Sequence, residues 1–136
     1  MGPLVGYSYR NVLPLPALAG PIEDGTYDLV EILNHTAEAG QWSSGMAPAF
    51  RWTMRFSTQE TSPNHAAGIL ASSVDLPPSV ACNVTRFATF QRELRVEGGD
   101  KGIDSVAYTA HGDSLMFTKM DGDGGHPQTF VFRRRP

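Results

Sequence analysis

Ala49-Phe50-Arg51-Trp52-Thr53-Met54-Arg55-Phe56-Ser57 decides the fold. Phe50, Trp52, Met54 and Phe56 alternate with Arg51, Thr53, Arg55 and Ser57. A period of two is the mark of a strand with one face buried and one face wet. A register slip of one residue would bury both arginines, so the pairing of this strand is strongly specified. It reads as the central strand of an antiparallel β domain, over about 49–57.

The stretches on either side repeat the pattern. Gly25-Thr26-Tyr27-Asp28-Leu29-Val30-Glu31-Ile32-Leu33 predicts a first strand. Residues 34–48 read as a loop with one helical turn at 36–39. Beyond the polar turn 59–64, residues 66–74 form a strand of small side chains, as expected where another element approaches closely or a barrel tapers. Val80 to Phe87 is a further strand. Ser105-Val106-Ala107-Tyr108-Thr109 and Ser114 to Met120 make a hairpin about a turn at 110–113, and Gln128 to Arg133 closes the series. Between them, Phe87, Phe90 and Leu94 fall at i, i+3 and i+7, which predicts a short helix over about 88–96, with a strand through Leu94 and Val96 as the rival. The expected fold is mainly β: an antiparallel meander that closes or nearly closes into a small barrel with one short helix.

One domain, 23–136, accounts for the length, preceded by a proline-rich lead-in, 1–22, that is either packed, along a surface or as a plug in a barrel end, or partly disordered. The 14 glycines and ten prolines are spread along the chain, which suits many turns between short strands. A net charge of −3 and the absence of a basic, aromatic-interleaved run argue against nucleic-acid binding. Arg133-Arg134-Arg135 reads as a solvated strand end. No stretch reaches the roughly 20 apolar residues of a spanning helix. The single Cys82 excludes an internal disulfide and, with no signal-peptide pattern at the start, leads to the expectation of a cytoplasmic protein.

Motifs with chemistry are few. Gly112-Asp113-Ser114-Leu115 spells the nucleophile motif of a serine hydrolase family, but the flanking strands make it a hairpin turn. Asp121-Gly122-Asp123-Gly124-Gly125 resembles the start of a calcium loop, yet Phe132 stands where the twelfth-position glutamate belongs. His35, His65, His111 and His126 fall in expected loops or turns without metal-ligand spacing. Cys82, in an apolar strand, reads as a small core side chain. No cofactor or metal is therefore expected. Tyr27, Trp52, Phe56, Tyr108 and Phe117 are the candidate ligand-binding side chains, although such aromatics more often fill a small barrel than line a pocket. Arg51 and Arg55 are the candidate partner-binding residues.

In order and spacing, several of these segments resemble the META domain, or HslJ-type, family. Gly25 to Ile32 resembles its opening strand and Thr53-Met54-Arg55-Phe56 its next core strand. Asn64-His65-Ala66-Ala67-Gly68 is similar to its asparagine-to-glycine turn. Thr85-Arg86-Phe87 resembles the Thr-Arg-Met segment that precedes the family's helix. Val106-Ala107-Tyr108, His111 to Phe117 and Thr129 to Phe132 resemble its closing strands. The likeness covers about 22–134. Pro63 and Cys82 depart from the cysteine positions of bacterial members, so no cysteine role carries over. The Gly-Asp-x-Leu turn is shared with lipocalin-like barrels. The resemblance implies a small β domain with one helix and no enzymatic activity, linked to stress response or virulence. The functional expectations are a non-enzymatic domain that binds a partner protein or an apolar ligand, a lipocalin-like carrier of a small hydrophobic molecule, or an enzyme using loop histidines on a barrel.

Overall fold

The computed structural model describes residues 3, 5, 7–10, 16–35, 51–62, 65–76, 79–98, 102–119 and 127–136. Nine strands run through them: β1 (Tyr7–Arg10), β2 (Gly25–His35), β3 (Arg51–Ser62), β4 (His65–Leu76), β5 (Ser79–Phe90), β6 (Glu93–Gly98), β7 (Gly102–His111), β8 (Ser114–Lys119) and β9 (Gln128–Arg134). From β2 to β9 each strand pairs antiparallel with the next, and β9 returns to pair with β2, so eight strands close into a barrel. Closure gives the first and last strands of the meander a partner each, where an open sheet would leave both edges free. β2 pairs along one edge with β9 and shares the other between β3, opposite Gly25 to Asp28, and the parallel β1, opposite Ile32 to His35.

Two bulges set which side chains face inward. In β2 the register against β9 shifts between Leu29 and Glu31. Tyr27 and Leu29 point in before the shift, Ile32 and Asn34 after it, and Val30 is left outside. In β3 the shift lies between Thr58 and Glu60, opposite Gly68 of β4. A Cβ at Gly68 would overlap the Ser57 carbonyl oxygen and press on the Thr58 backbone. The bulge therefore demands glycine there, which is the close approach foreseen for this strand of small residues.

The expected helix over 88–96 is absent. β5 runs on to Phe90, turns through Gln91 and Arg92, and returns as β6. Phe87 and Leu94 do share an interior, but from two strands, while Phe90 points outward and is 47% exposed. Gln91 holds the turn at φ 54°, a left-handed conformation unusual for a residue other than glycine. At the next hairpin Gly112, at φ 58°, and Asp113 form the two-residue turn between β7 and β8. That is the hairpin reading of the Gly-Asp-Ser-Leu sequence. Residues 36–50, with the suggested helical turn, lie outside the described residues.

The chain ahead of β2 crosses the lower end of the barrel, where β2 begins. Ala19 forms a parallel bridge to Thr109, donating its N–H to the Tyr108 carbonyl (2.9 Å) and accepting from the Ala110 N–H (2.8 Å). Tyr108 Oη donates to the Gly20 carbonyl at 2.9 Å and Tyr27 Oη to the Glu23 carbonyl at 2.7 Å. Burial raises the pKa of both phenols. Ile22 and Ala19 pack against the core from below. Arg134 pairs with Glu23 at 2.8 Å at the same end, so Arg134 is engaged and not merely solvated, while Arg133 is exposed as expected.

Directly above the lead-in the interior is packed with aromatic and aliphatic side chains. Tyr27 meets Phe56 edge to face at 5.6 Å, and Phe56 meets Phe87 at 5.1 Å. Leu94, Leu115 and Phe132 complete a floor of almost wholly buried side chains. Such edge-on pairs contribute about 0.5–1.5 kcal/mol each beyond area burial.

On the outer face, Asp28 ties three segments together. Arg135 grips it with Nε at 2.7 Å and Nη2 at 2.9 Å, and Thr53 Oγ1 donates to it at 2.8 Å. The Arg135 guanidinium, helped by the Thr53 hydroxyl, lowers the Asp28 pKa against the opposing effect of burial.

Two stability measurements follow from these contacts. Gly68→Ala should lower stability by about 1–3 kcal/mol, as overpacking does, read as a fall in urea midpoint at unchanged slope. Asp28→Asn should cost about 0.5–1 kcal/mol near neutral pH, a modest figure because Arg135 is partly exposed. Asp28 has a lower pKa folded than unfolded, so its contribution is complete above the unfolded value of about 3.9 and is lost as pH falls through the folded one. Denaturation curves of the variant and the parent should therefore converge below that range.

Candidate functional site

The upper half of the barrel is hollow. A cavity of about 270 Å³ lies above the floor, walled by Trp52, Met54, Leu70, Val106, Phe117 and Phe130. It forms because the inward positions thin out upward. On β4 and β5, the inner-face residues Leu70 and Phe87 give way to Ser72, Thr85 and Asn83. Small polar side chains on one wall leave space opposite the aromatics of the other.

Trp52 is the principal wall. Its indole stands edge-on to Phe132 at 5.2 Å and to Phe130 at 5.7 Å. Its Nε1–H donates to Ser72 Oγ at 3.1 Å. The ring is thus fixed at its polar tip and along its edges while part of its surface faces the cavity. Phe117 stacks at a tilt on Phe132, 5.3 Å away, and joins the wall to the floor. Near the seam, Gln128 Nε2 donates to Asn34 Oδ1 at 2.7 Å, and both side chains are buried. This amide pair satisfies interior polar groups where the first and last barrel strands meet.

The barrel wall has a slot beside the cavity. β6 pairs with β5 only from Phe87 to Phe90, and above that level the two strands separate. Asn83 and Thr85 line one side of the cavity here, Val96 and Glu97 the other. Lys119 continues the inward row of Leu115 and Phe117 to the rim. Glu97 falls on the outward row of β6 with Glu93 and Arg95, which pair with each other at 3.3 Å.

Of the five aromatic candidates, the structure brings Trp52 and Phe117 to the cavity. Phe56 packs in the floor, and Tyr27 and Tyr108 hold the lead-in below it. Met54, Leu70 and Val106 were not singled out as site residues. Alternation marked Met54 as inward, but nothing in it distinguishes the level of the barrel at which a residue sits. Arg51 bonds Asp75 directly across β3 and β4 at 3.2 Å, whereas Arg55 is exposed on the outer face. Cys82 is not a core residue as expected. It lies exposed on the outward face of β5, within weak hydrogen-bond range of Ser73 Oγ at 3.8 Å.

The histidines are scattered. His35 Nε2 lies 2.7 Å from Thr129 Oγ1 at the upper end of β2, His65 Nδ1 lies 2.8 Å from the Thr89 carbonyl at the lower end of β4, and His111 is exposed beside the lower β7–β8 turn. His126 and the Asp121 to Gly125 loop lie outside the described residues. Among the described residues no three His, Cys, Asp or Glu side chains converge, and none of the cavity-lining ones is histidine or cysteine. The arrangement is one for holding an apolar group against aromatic walls with a few neutral hydrogen-bonding positions nearby. Comparison of the chain with family models, with curated proteins and with solved structures finds no match.

Proposed function

We propose that the protein is a non-catalytic binding module that carries a small, mostly apolar molecule in the upper half of its barrel, in the manner of a lipocalin-like carrier. The observation that supports this reading is the division of the interior. Tyr27, Phe56 and Phe87 pack the lower half, and a pocket of about 230 Å³ lies only outside them, between the lead-in and Thr61, His65 and Thr89, while the upper half keeps a cavity of about 270 Å³ within the barrel, walled by Trp52 and Phe117. A barrel whose aromatics served only as core would have no reason to leave one half hollow, since a void forfeits contacts on every side. Ligand pockets commonly run from about 300 to 1,000 Å³, so this one suits a compact ligand such as a single or fused aromatic ring or a medium-length chain. Ser72, Thr85 and Asn83 offer that ligand hydroxyl and amide partners without fixed charge.

Trp52 reports on the cavity. In a Trp42→Phe background it is the sole tryptophan. Titration with 1-naphthol and with 1-octanol should give a saturable, one-to-one change in its emission. Val96→Phe, which fills the slot side of the cavity, should weaken binding about tenfold, the scale of one or two methylene-sized clashes in an apolar pocket, while the far-ultraviolet dichroism stays that of the parent. A protein that remains folded and shows no saturable response to either probe would refute the carrier reading.

A further inference from the structure

We propose that the upper half of β5 is a docking edge for a second copy of this chain, the two β5 strands pairing antiparallel about a two-fold axis at Cys82. The first observation is the ladder. β5 pairs over its whole length with β4 but only from Phe87 to Phe90 with β6, so residues 79–86 have one edge without a backbone partner among the described residues. The direction of their hydrogen-bonding groups follows from the hairpin below. Phe90 and Glu93 close a two-residue turn and bond each other, so the even-numbered residues of β5 aim their N–H and C=O away from β4. The Thr89 carbonyl, directed at His65 of β4, agrees with this alternation. Among the described residues, 80, 82, 84 and 86 therefore present an unused row of donors and acceptors.

The second observation is what covers that edge, which is little. Val80 is 60% exposed and Val84 69%, with Cys82 exposed between them on the outward face. Edge strands are usually blunted by proline, lysine or an inward charge. Between Ser79 and Thr85 this one has none of them.

The occupant follows from register. The connection from β6 to β7 leaves residues 99–101 outside the described chain. Three residues span about 10 Å, too short to lay a strand along an edge of eight residues, roughly 26 Å. Residues 36–50, which join β2 to β3, and 120–126, which join β8 to β9, are also outside it, and protection of the edge by either would show at every concentration. A second β5 matches the edge residue for residue. Because even positions must meet even positions, the axis falls on a residue and only a few registers exist. With the axis at Cys82, Val80 of each copy faces Val84 of the other, and Arg86 lies beyond the paired stretch. Moving the axis to Asn83 sets Val80 against Arg86, and moving it to Ala81 leaves Val84 without a partner. Facing β-branched side chains are favourable cross-strand pairs. A single strand pair falls short of the roughly 1,200 Å² of a stable interface, so the dimer is weak, with a dissociation constant in the micromolar range or above.

Sedimentation velocity from low to high micromolar concentration should show monomer passing to dimer. Over the same range the amide hydrogens of residues 80–86 should become protected from exchange. Val84→Lys, at an exposed position, should weaken association about tenfold by setting lysine against valine at both symmetric sites. Adding Val80→Asp to the same chain should restore most of the loss, because the two new side chains face each other across the axis only in this register. A monomer at every concentration would overturn the proposal, whether the edge exchanges freely or is protected throughout by the chain's own residues. So would a dimer indifferent to Val84→Lys, which would use another surface.

Discussion

The pairing of β2 with β9 is the contact on which the structure depends. It turns a row of antiparallel strands into a closed barrel and is the longest-range pairing in the ladder, joining Tyr27 to Arg134 and Asn34 to Gln128. Three different interactions hold it. The buried Asn34–Gln128 amide pair lies on the inside, Asp28 is clamped by Arg135 on the outside, and Arg134 reaches Glu23 below. The bulge after Leu29 sits within this seam and lets the inward face change phase without interrupting the pairing.

A closed wall with fixed inward positions leaves the barrel only one freedom, the size of what points in. Large side chains occupy the floor and smaller polar ones the upper wall of β4 and β5, so the interior is packed through the floor and keeps its cavity above it. The lead-in lies across the lower end, tied by hydrogen bonds to Tyr27, Tyr108 and the β7 backbone, with a pocket of about 230 Å³ between it and Thr61, His65 and Thr89. The aromatic contacts of the core lie below and the cavity above, while the seam between β2 and β9 is tied at both levels.

Much of this was legible in the sequence where alternation was strict. Trp52, Met54 and Phe56 announced the inward row of β3, and Gly112-Asp113 announced its hairpin. The helix over 88–96 was misread because Phe87, Phe90 and Leu94 happen to match a helical stripe. A two-residue turn between them yields the same spacing when its first residue accepts a left-handed conformation, and Gln91 gives no sign that it will. Cys82 looked internal because its neighbours are apolar. Val80 and Val84 share its outward row, opposite the inward Asn83, Thr85 and Phe87, and apolar neighbours do not tell which row of a strand faces the core. The cavity was invisible for a related reason: alternation tells inside from outside, not top from bottom.

The seam also has a consequence in time. β3, β4 and β5 are linked by short connections and can pair as soon as each is made. β2 precedes them all, yet one of its edges has no lasting partner until β9 exists, about a hundred residues later. Contacts this distant in sequence form slowly, because a long loop must be closed before any bond rewards the closure. During synthesis the chain therefore passes through a stage in which the meander is paired and the barrel is still an open sheet. In that stage Leu29, Ile32 and the floor aromatics are exposed together, and the rate at which Gln128 to Arg134 finds β2 governs how long they remain so.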